Sequence, residues 1–129
     1  MWCVGYAAAA QSVVPVSKVS AAFGQKEISA MTAEEITWKN FLSSEWCLVS
    51  VNPEKSAGLP ILAARTGVKV SATAVTPETF NPFQWNINLS DENQYFRIEG
   101  TDLVVLVLSR PRLEVLYPRY KANLNAAKQ

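Results

Sequence analysis

Residues 100–117, GTDLVVLVLSRPRLEVLY, contain the longest unbroken apolar run of the chain, Leu103–Leu108. The run is short and rich in valine, and turn-forming residues lie on both sides of it, at 100–102 and at 109–111. This pattern predicts a buried strand. Because a strand that is apolar on both faces must be covered on both faces, we expect it at the centre of a covered sheet or curved through a small barrel.

The second half of the same stretch predicts another strand. Residues 113–117 resume an extended pattern, in which Glu114 is opposed to Leu113 and Val115, and Pro118 then interrupts it. Proline cannot donate to a strand ladder, so this second strand is expected near an edge of the sheet.

Five other segments carry strand signals, and one segment carries a helix signal. The strand segments are 46–51, 61–65, 68–75, 83–89 and 94–99. Thr32 and Glu35 form a capping-box pattern, which predicts a helix that begins there and ends near Ser43 or Ser44. The predicted fold is therefore mainly β: a small antiparallel β-barrel or sandwich of about seven strands with one preceding α-helix.

Composition limits the chemistry that the protein can perform. The 129 residues suit one domain with a substantial core. The absence of histidine excludes Ser-His-Asp and Cys-His nucleophiles and nearly all histidine-containing metal sites. No glycine-rich phosphate loop is present. We therefore predict no catalytic residues, no metal and no cofactor, and we expect the protein not to be an enzyme.

The two cysteines, Cys3 and Cys47, match no metal-binding spacing. They could pair with each other or remain free. We interpret them as buried or unreactive thiols.

The chain is divided by composition into an N-terminal arm (1–30), a helix plus antiparallel barrel domain (31–120) and a C-terminal tail (121–129). Residues 1–26 contain no acidic residue, and their apolar part is interrupted too often for a transmembrane span. An acid-poor, serine-containing N-terminus is typical of targeting segments, which makes an organellar location, in a plastid, one interpretation. The other is an arm that packs on the domain or on a neighbour.

The segment 109–121, SRPRLEVLYPRYK, is the predicted contact surface. Arginine and tyrosine are enriched where proteins bind other proteins. The alternative is a solvated edge strand whose charges and prolines prevent aggregation. A net charge of +1 argues against a nucleic-acid partner. The predicted interface residues are Arg110, Arg112, Tyr117, Arg119, Tyr120 and Lys121.

Residues 41–49, FLSSEWCLV, resemble the opening of lipocalin-like (calycin) barrels, in which a short helix leads into Gly-x-Trp at the first strand. Ser44 stands at the position of that glycine. The resemblance covers residues 36–119 and implies a barrel whose interior takes an apolar small molecule. It also implies that Trp46 closes one end of the barrel and that Arg110, Arg112 or Arg119 packs across it.

These patterns lead to two functional hypotheses. The first is a non-catalytic structural or accessory subunit of a larger assembly, such as an organellar complex or a viral capsid, which contacts other subunits through residues 1–30 and 109–129. The alternative is a lipocalin-like carrier that binds a small apolar ligand.

Overall fold

The computed structural model describes residues 13–67 and 75–127. The helices in these ranges are α1 (Ser17–Ala22), α2 (Gln25–Ser29), α3 (Ala33–Glu45), α4 (Pro53–Ser56), α5 (Leu62–Thr66) and α6 (Arg110–Ala127). The strands are β1 (Cys47–Val51), β2 (Gln94–Arg97) and β3 (Leu103–Val107), and a 3₁₀ turn spans Pro82–Trp85. The predicted seven-strand barrel or sandwich is wrong, because the described strands form one open sheet of three strands in the order β1-β3-β2.

The strand predicted from Leu103–Leu108 is confirmed as the centre of the sheet. β3 pairs antiparallel with β1, from Cys47 opposite Val107 to Val51 opposite Leu103. It also pairs antiparallel with β2, from Gln94 opposite Val107 to Arg97 opposite Val104. Both flanking strands were predicted at nearly these positions. The valine-rich run therefore organises the sheet, as its hydrophobicity indicates.

The capping box at the start of α3 is confirmed. The Thr32 hydroxyl accepts a hydrogen bond from the Glu35 amide at 3.1 Å, and the Glu35 carboxylate accepts one from the Thr32 amide at 3.4 Å. Two otherwise unpaired amides of the first turn are thereby satisfied. The helix continues to Glu45, slightly beyond the predicted end, and Trp46 connects it to β1.

The strand predicted at 113–117 is wrong, because these residues lie inside α6. The Ser109 hydroxyl accepts from the Arg112 amide at 3.3 Å, and the Ser109 carbonyl accepts from the Leu113 amide at 3.0 Å. Pro111 lies in the first turn, where its missing amide proton costs nothing. Leu113, Tyr117, Tyr120 and Leu124 recur at helical spacing on one side of α6, where Leu113 is fully buried and the other three are half-buried.

Pro118 lies in the interior of α6 and leads to a stability prediction. Proline has no amide proton to donate to the carbonyl of residue 114. Pro118 is also exposed, so its side chain contributes little packing. We expect Pro118→Ala to raise the free energy of unfolding by about 1–3 kcal/mol. Urea unfolding followed by circular dichroism measures the change. A loss of stability would contradict the helical assignment and favour the edge-strand interpretation.

Two further predicted strands are replaced by other structure. Residues 62–66 form α5, which ends at Gly67 with φ 77°, and Ile61 makes only one isolated parallel bridge, to Arg97. Residues 83–89 begin as the 3₁₀ turn, and Asn86 then takes a left-handed φ of 52°. The alternation in that segment nonetheless predicted burial correctly: Trp85 is buried, Phe83, Ile87 and Leu89 are half-buried, and Gln84, Asn86 and Asn88 are exposed. Apart from Val75, the strand predicted at 68–75 lies outside the described residues.

The core lies between one face of the sheet and the elements packed over it, namely α3, α5, the 3₁₀ turn and the start of α6. Val105 and Val107 of β3, Phe41 of α3, Leu62 of α5 and Leu113 of α6 are each fully buried. Thus α6 is fixed at its N-terminal end by the core and continues beyond it along α3.

Candidate functional site

The inner side of α6 packs on α3 through aromatic side chains. The ring of Tyr117 lies 4.8 Å from that of Trp38 and 5.1 Å from that of Phe41, centroid to centroid. The ring of Tyr120 lies 5.3 Å from that of Phe41. These distances are within the range of favourable aromatic pairs. Two of the predicted interface residues, Tyr117 and Tyr120, therefore hold α6 against its own domain.

Polar contacts reinforce the same joint. The Tyr117 hydroxyl donates to the Glu34 carboxylate at the start of α3. Lys121 lies 3.8 Å from that carboxylate and 4.7 Å above the Tyr117 ring. Burial, together with the hydrogen bond to Glu34, raises the pKa of Tyr117 above its ordinary value. Tyr117 is therefore a neutral donor at physiological pH, and Lys121 completes a cluster of contacts within the chain whose charged groups remain partly exposed.

The outer face of α6 consists of Arg112, Val115, Arg119, Ala122 and Ala126, which recur at helical spacing and are all exposed. Val115 is 52% exposed and lies between the two arginines. Within residues 13–67 and 75–127, neither arginine forms an ion pair. This face combines two unpaired cations with an apolar centre, and it is borne on a helix whose other side is fixed.

Arg110 belongs to a different surface from Arg112 and Arg119. Together with Trp38, Trp46 and Phe83 it lines an open groove of about 430 Å³ beside the N-terminal end of α6. Trp46 is buried, and its indole Nε1 has no acceptor within the described part of the chain. The expected barrel-closing role of Trp46 is wrong, since the described strands form no barrel. Trp46 instead joins α3 to β1 and fills the core beneath the groove.

Parts of the two terminal segments predicted as contact regions lie on opposite sides of one groove. The Asn40 side chain on α3 accepts from the Val16 amide and donates to the Val14 carbonyl, both at 2.9 Å. A groove of about 530 Å³ separates residues 13–16 from Tyr120 and Leu124 on α6. The buried Asn40 thus fixes the described part of the N-terminal arm beside the C-terminal helix.

Cys47 begins β1 and is half-buried. Burial raises the pKa of its thiol to about 12, although Lys18 acts in the opposite direction. The thiol is therefore protonated at neutral pH. Because the thiolate is the nucleophilic form of cysteine, Cys47 is a poor nucleophile under these conditions. Cys3 lies outside the described residues. In the described ranges, no three His, Cys, Asp or Glu side chains converge in a way that could hold a metal ion.

Sequence reasoning missed two features of this site. It named Tyr117, Tyr120 and Lys121 as contact residues, whereas their side chains contact α3. It also passed over Asn40, since one asparagine inside a helical pattern carries no distinctive signal. Arg112, Val115 and Arg119 have helical spacing in the sequence. The same segment also fits the alternation of a strand, and the strand interpretation was chosen.

None of the helices in the described ranges has both the length and the apolar character needed to cross a bilayer. Comparison of the chain with protein-family models, with curated protein sequences and with solved structures gave no significant match in any of the three. The lipocalin-like resemblance therefore stays a prediction.

Proposed function

We propose that this protein is a non-catalytic subunit or accessory protein of a larger assembly, which docks through the outer face of α6 onto an acidic surface of a partner protein. The observation that carries the proposal is the two-sided character of α6. Its inner side is fixed to α3 by Tyr117 and Tyr120, whereas its outer face presents two arginines without ion-pair partners in the described residues.

The composition of the outer face supports a protein partner. Arginine is enriched at protein interfaces, and its planar guanidinium binds carboxylates through two parallel hydrogen bonds. Val115 supplies an apolar centre between the arginines, an arrangement typical of an interface core with a charged rim. A rigid helix also presents these groups with little further loss of conformational freedom on binding.

The charge of the chain favours an acidic partner surface rather than nucleic acid. The net charge is only +1, so no broad positive field surrounds the molecule. The positive charge on α6 is local: Glu114 is the only acidic residue among residues 110–127. A short patch of two arginines matches a few carboxylates better than a continuous phosphate backbone.

A site-specific cross-linking experiment in the source cells tests this proposal. We expect a photo-reactive amino acid at position 115 to cross-link to peptides rich in aspartate or glutamate from one partner protein. Reversing both charges, Arg112→Glu with Arg119→Glu, should reduce the yield at least about tenfold, because each arginine then repels the acidic surface.

The matched control is Lys26→Glu with Arg65→Glu, which makes the same change in net charge at exposed positions on α2 and α5. This control should leave the cross-link unchanged, and circular dichroism should show that both double variants fold. The proposal is wrong if position 115 yields no cross-link, if the cross-linked peptides are not acidic, or if both double variants reduce the yield equally.

A further inference from the structure

We propose that the free edge of β1 pairs antiparallel with β1 of a second copy of this chain, so that two sheets join into one of six strands about a two-fold axis at Val49. This proposal concerns a different surface from the outer face of α6 and does not rest on it.

The hydrogen bonds at both ends of β1 show which of its groups point outward. The Leu108 amide donates to the Trp46 carbonyl, and the Asn52 amide donates to the Asp102 carbonyl, each at 2.9 Å. In an antiparallel pair such bonded residues alternate along the strand. Leu48 and Ser50 therefore bond β3, whereas the amides and carbonyls of Cys47, Val49 and Val51 point away from it. None of these outward groups has a backbone partner in the described residues.

The opposite edge of the sheet is protected. On β2, the Arg97 amide donates to the Pro60 carbonyl at 2.9 Å, and its Nε donates to the Leu59 carbonyl at 3.0 Å. The Lys55 ammonium group lies 3.8 Å above the Tyr95 ring on the same strand. Chain coverage and a nearby lysine are the usual means by which proteins block an edge strand. Among residues 13–67 and 75–127, no backbone segment bonds to the outward groups of β1 in this way. Lys18 is close enough to act on the Cys47 thiol at the start of the strand, but the sequence of β1 itself, CLVSV, contains no charge and no proline.

The sequence of β1 is compatible with pairing to itself. Centring the pair on Val49 places the three outward residues opposite outward residues: Val49 opposite Val49, and Cys47 opposite Val51 in both directions. Three bonded pairs of this kind supply about six hydrogen bonds. Because residues 47–51 carry no charge, no like charges meet across the axis. This strand, which has no charge and no proline, can therefore pair with itself without conflict, and a second copy is the occupant we propose.

Pairing would also cover apolar surface that is exposed in the single chain. Leu48 is 48% exposed and Val51 is 65% exposed. In the proposed register Leu48 lies beside Ser50 of the second copy, and Val51 lies beside the half-buried Cys47. Leu48, Leu106 and Tyr95 form a row across the outer face of the sheet, and the dimer would continue this row across both copies.

A cysteine-pairing experiment tests the register. In the background Cys3→Ser with Cys47→Ser, Val49→Cys should form an intermolecular disulfide on mild oxidation, because directly opposite residues have Cα atoms about 5.5 Å apart. Val51→Cys is the matched control: its Cα atoms would lie about 14 Å apart, too far for a disulfide. Equal cross-linking of the two variants, or none in either, would overturn the proposal.

Light scattering on the unmodified chain provides an independent readout. At high micromolar concentration the mass should approach twice the 14.2 kDa of one chain. Ser50→Lys, which places a lysine beside the axis in each copy on the exposed face, should return the mass to that of the monomer. Tyr95→Lys places the same side chain on the opposite edge and should leave the dimer intact. A monomer under all conditions, or a dimer indifferent to Ser50→Lys, would refute the pairing.

Discussion

Replacing Phe41 by alanine should lower the free energy of unfolding by about 3–5 kcal/mol. Phe41 is fully buried in α3, and its ring lies within 5.4 Å of those of Trp38, Tyr117 and Tyr120, centroid to centroid. Its removal would leave a cavity where α3 meets α6, and both tyrosines that hold α6 would lose a packing partner. Chemical unfolding followed by tryptophan fluorescence measures the loss.

The matched control is Phe23→Ala. Phe23 is half-buried and contacts Phe83 at 5.3 Å and the Lys39 ammonium group at 4.9 Å. Its truncation should cost less than half as much, because neighbouring side chains and water can occupy part of the space. Equal losses for the two variants would show that Phe41 does not lie at the joint between α3 and α6.

Val105→Asp should abolish the native fold. Val105 is fully buried at the middle of β3 and belongs to the core. β3 pairs with β1 on one side and with β2 on the other. An unpaired carboxylate there costs several kcal/mol, a large part of the 5–15 kcal/mol that stabilises a typical domain. We expect loss of the cooperative thermal transition in circular dichroism and loss of soluble protein.

Ser50→Asp is the control for that substitution, since it places the same side chain on the exposed face of the same sheet. At a protein concentration low enough to keep the chain monomeric, its effect on stability should stay within about 0.5–1 kcal/mol. A Val105→Asp protein that melts cooperatively near the wild-type temperature would contradict the central, covered position of β3.

The sequence predicted those elements whose signals are local and unambiguous. The valine-rich run of β3 has one compatible structure, and the Thr32–Glu35 capping box depends only on contacts within one turn. The joint between α3 and α6 could not be predicted, because Leu113 and Tyr117 fit both a two-residue and a helical period. Pro118 then appeared to exclude a helix, although an exposed helical turn accepts proline when the freed carbonyl can bind water.

The barrel prediction failed for a related reason. Strand-like alternation in residues 83–89 marks burial of every second side chain, and an irregular segment that follows the core surface has the same pattern as a strand. The left-handed Asn86 changes the direction of the chain there. Of the predicted interface residues, Arg112 and Arg119 lie on the outer face of α6 without an ion-pair partner in the described part of the chain. The packing of Tyr117, Tyr120 and Lys121 could be recognised only after α6 was placed against α3.

Nuclear magnetic resonance of the labelled protein tests most directly whether α6 is a helix that packs on α3 with its inner side and exposes its outer face. We expect helical Cα chemical shifts throughout residues 112–124, together with nuclear Overhauser contacts between the rings of Tyr117 and Trp38, whose centroids lie 4.8 Å apart. Val115 should show no long-range contact in the isolated protein. Extended shifts at residues 113–117 with cross-strand contacts to another segment would contradict the account.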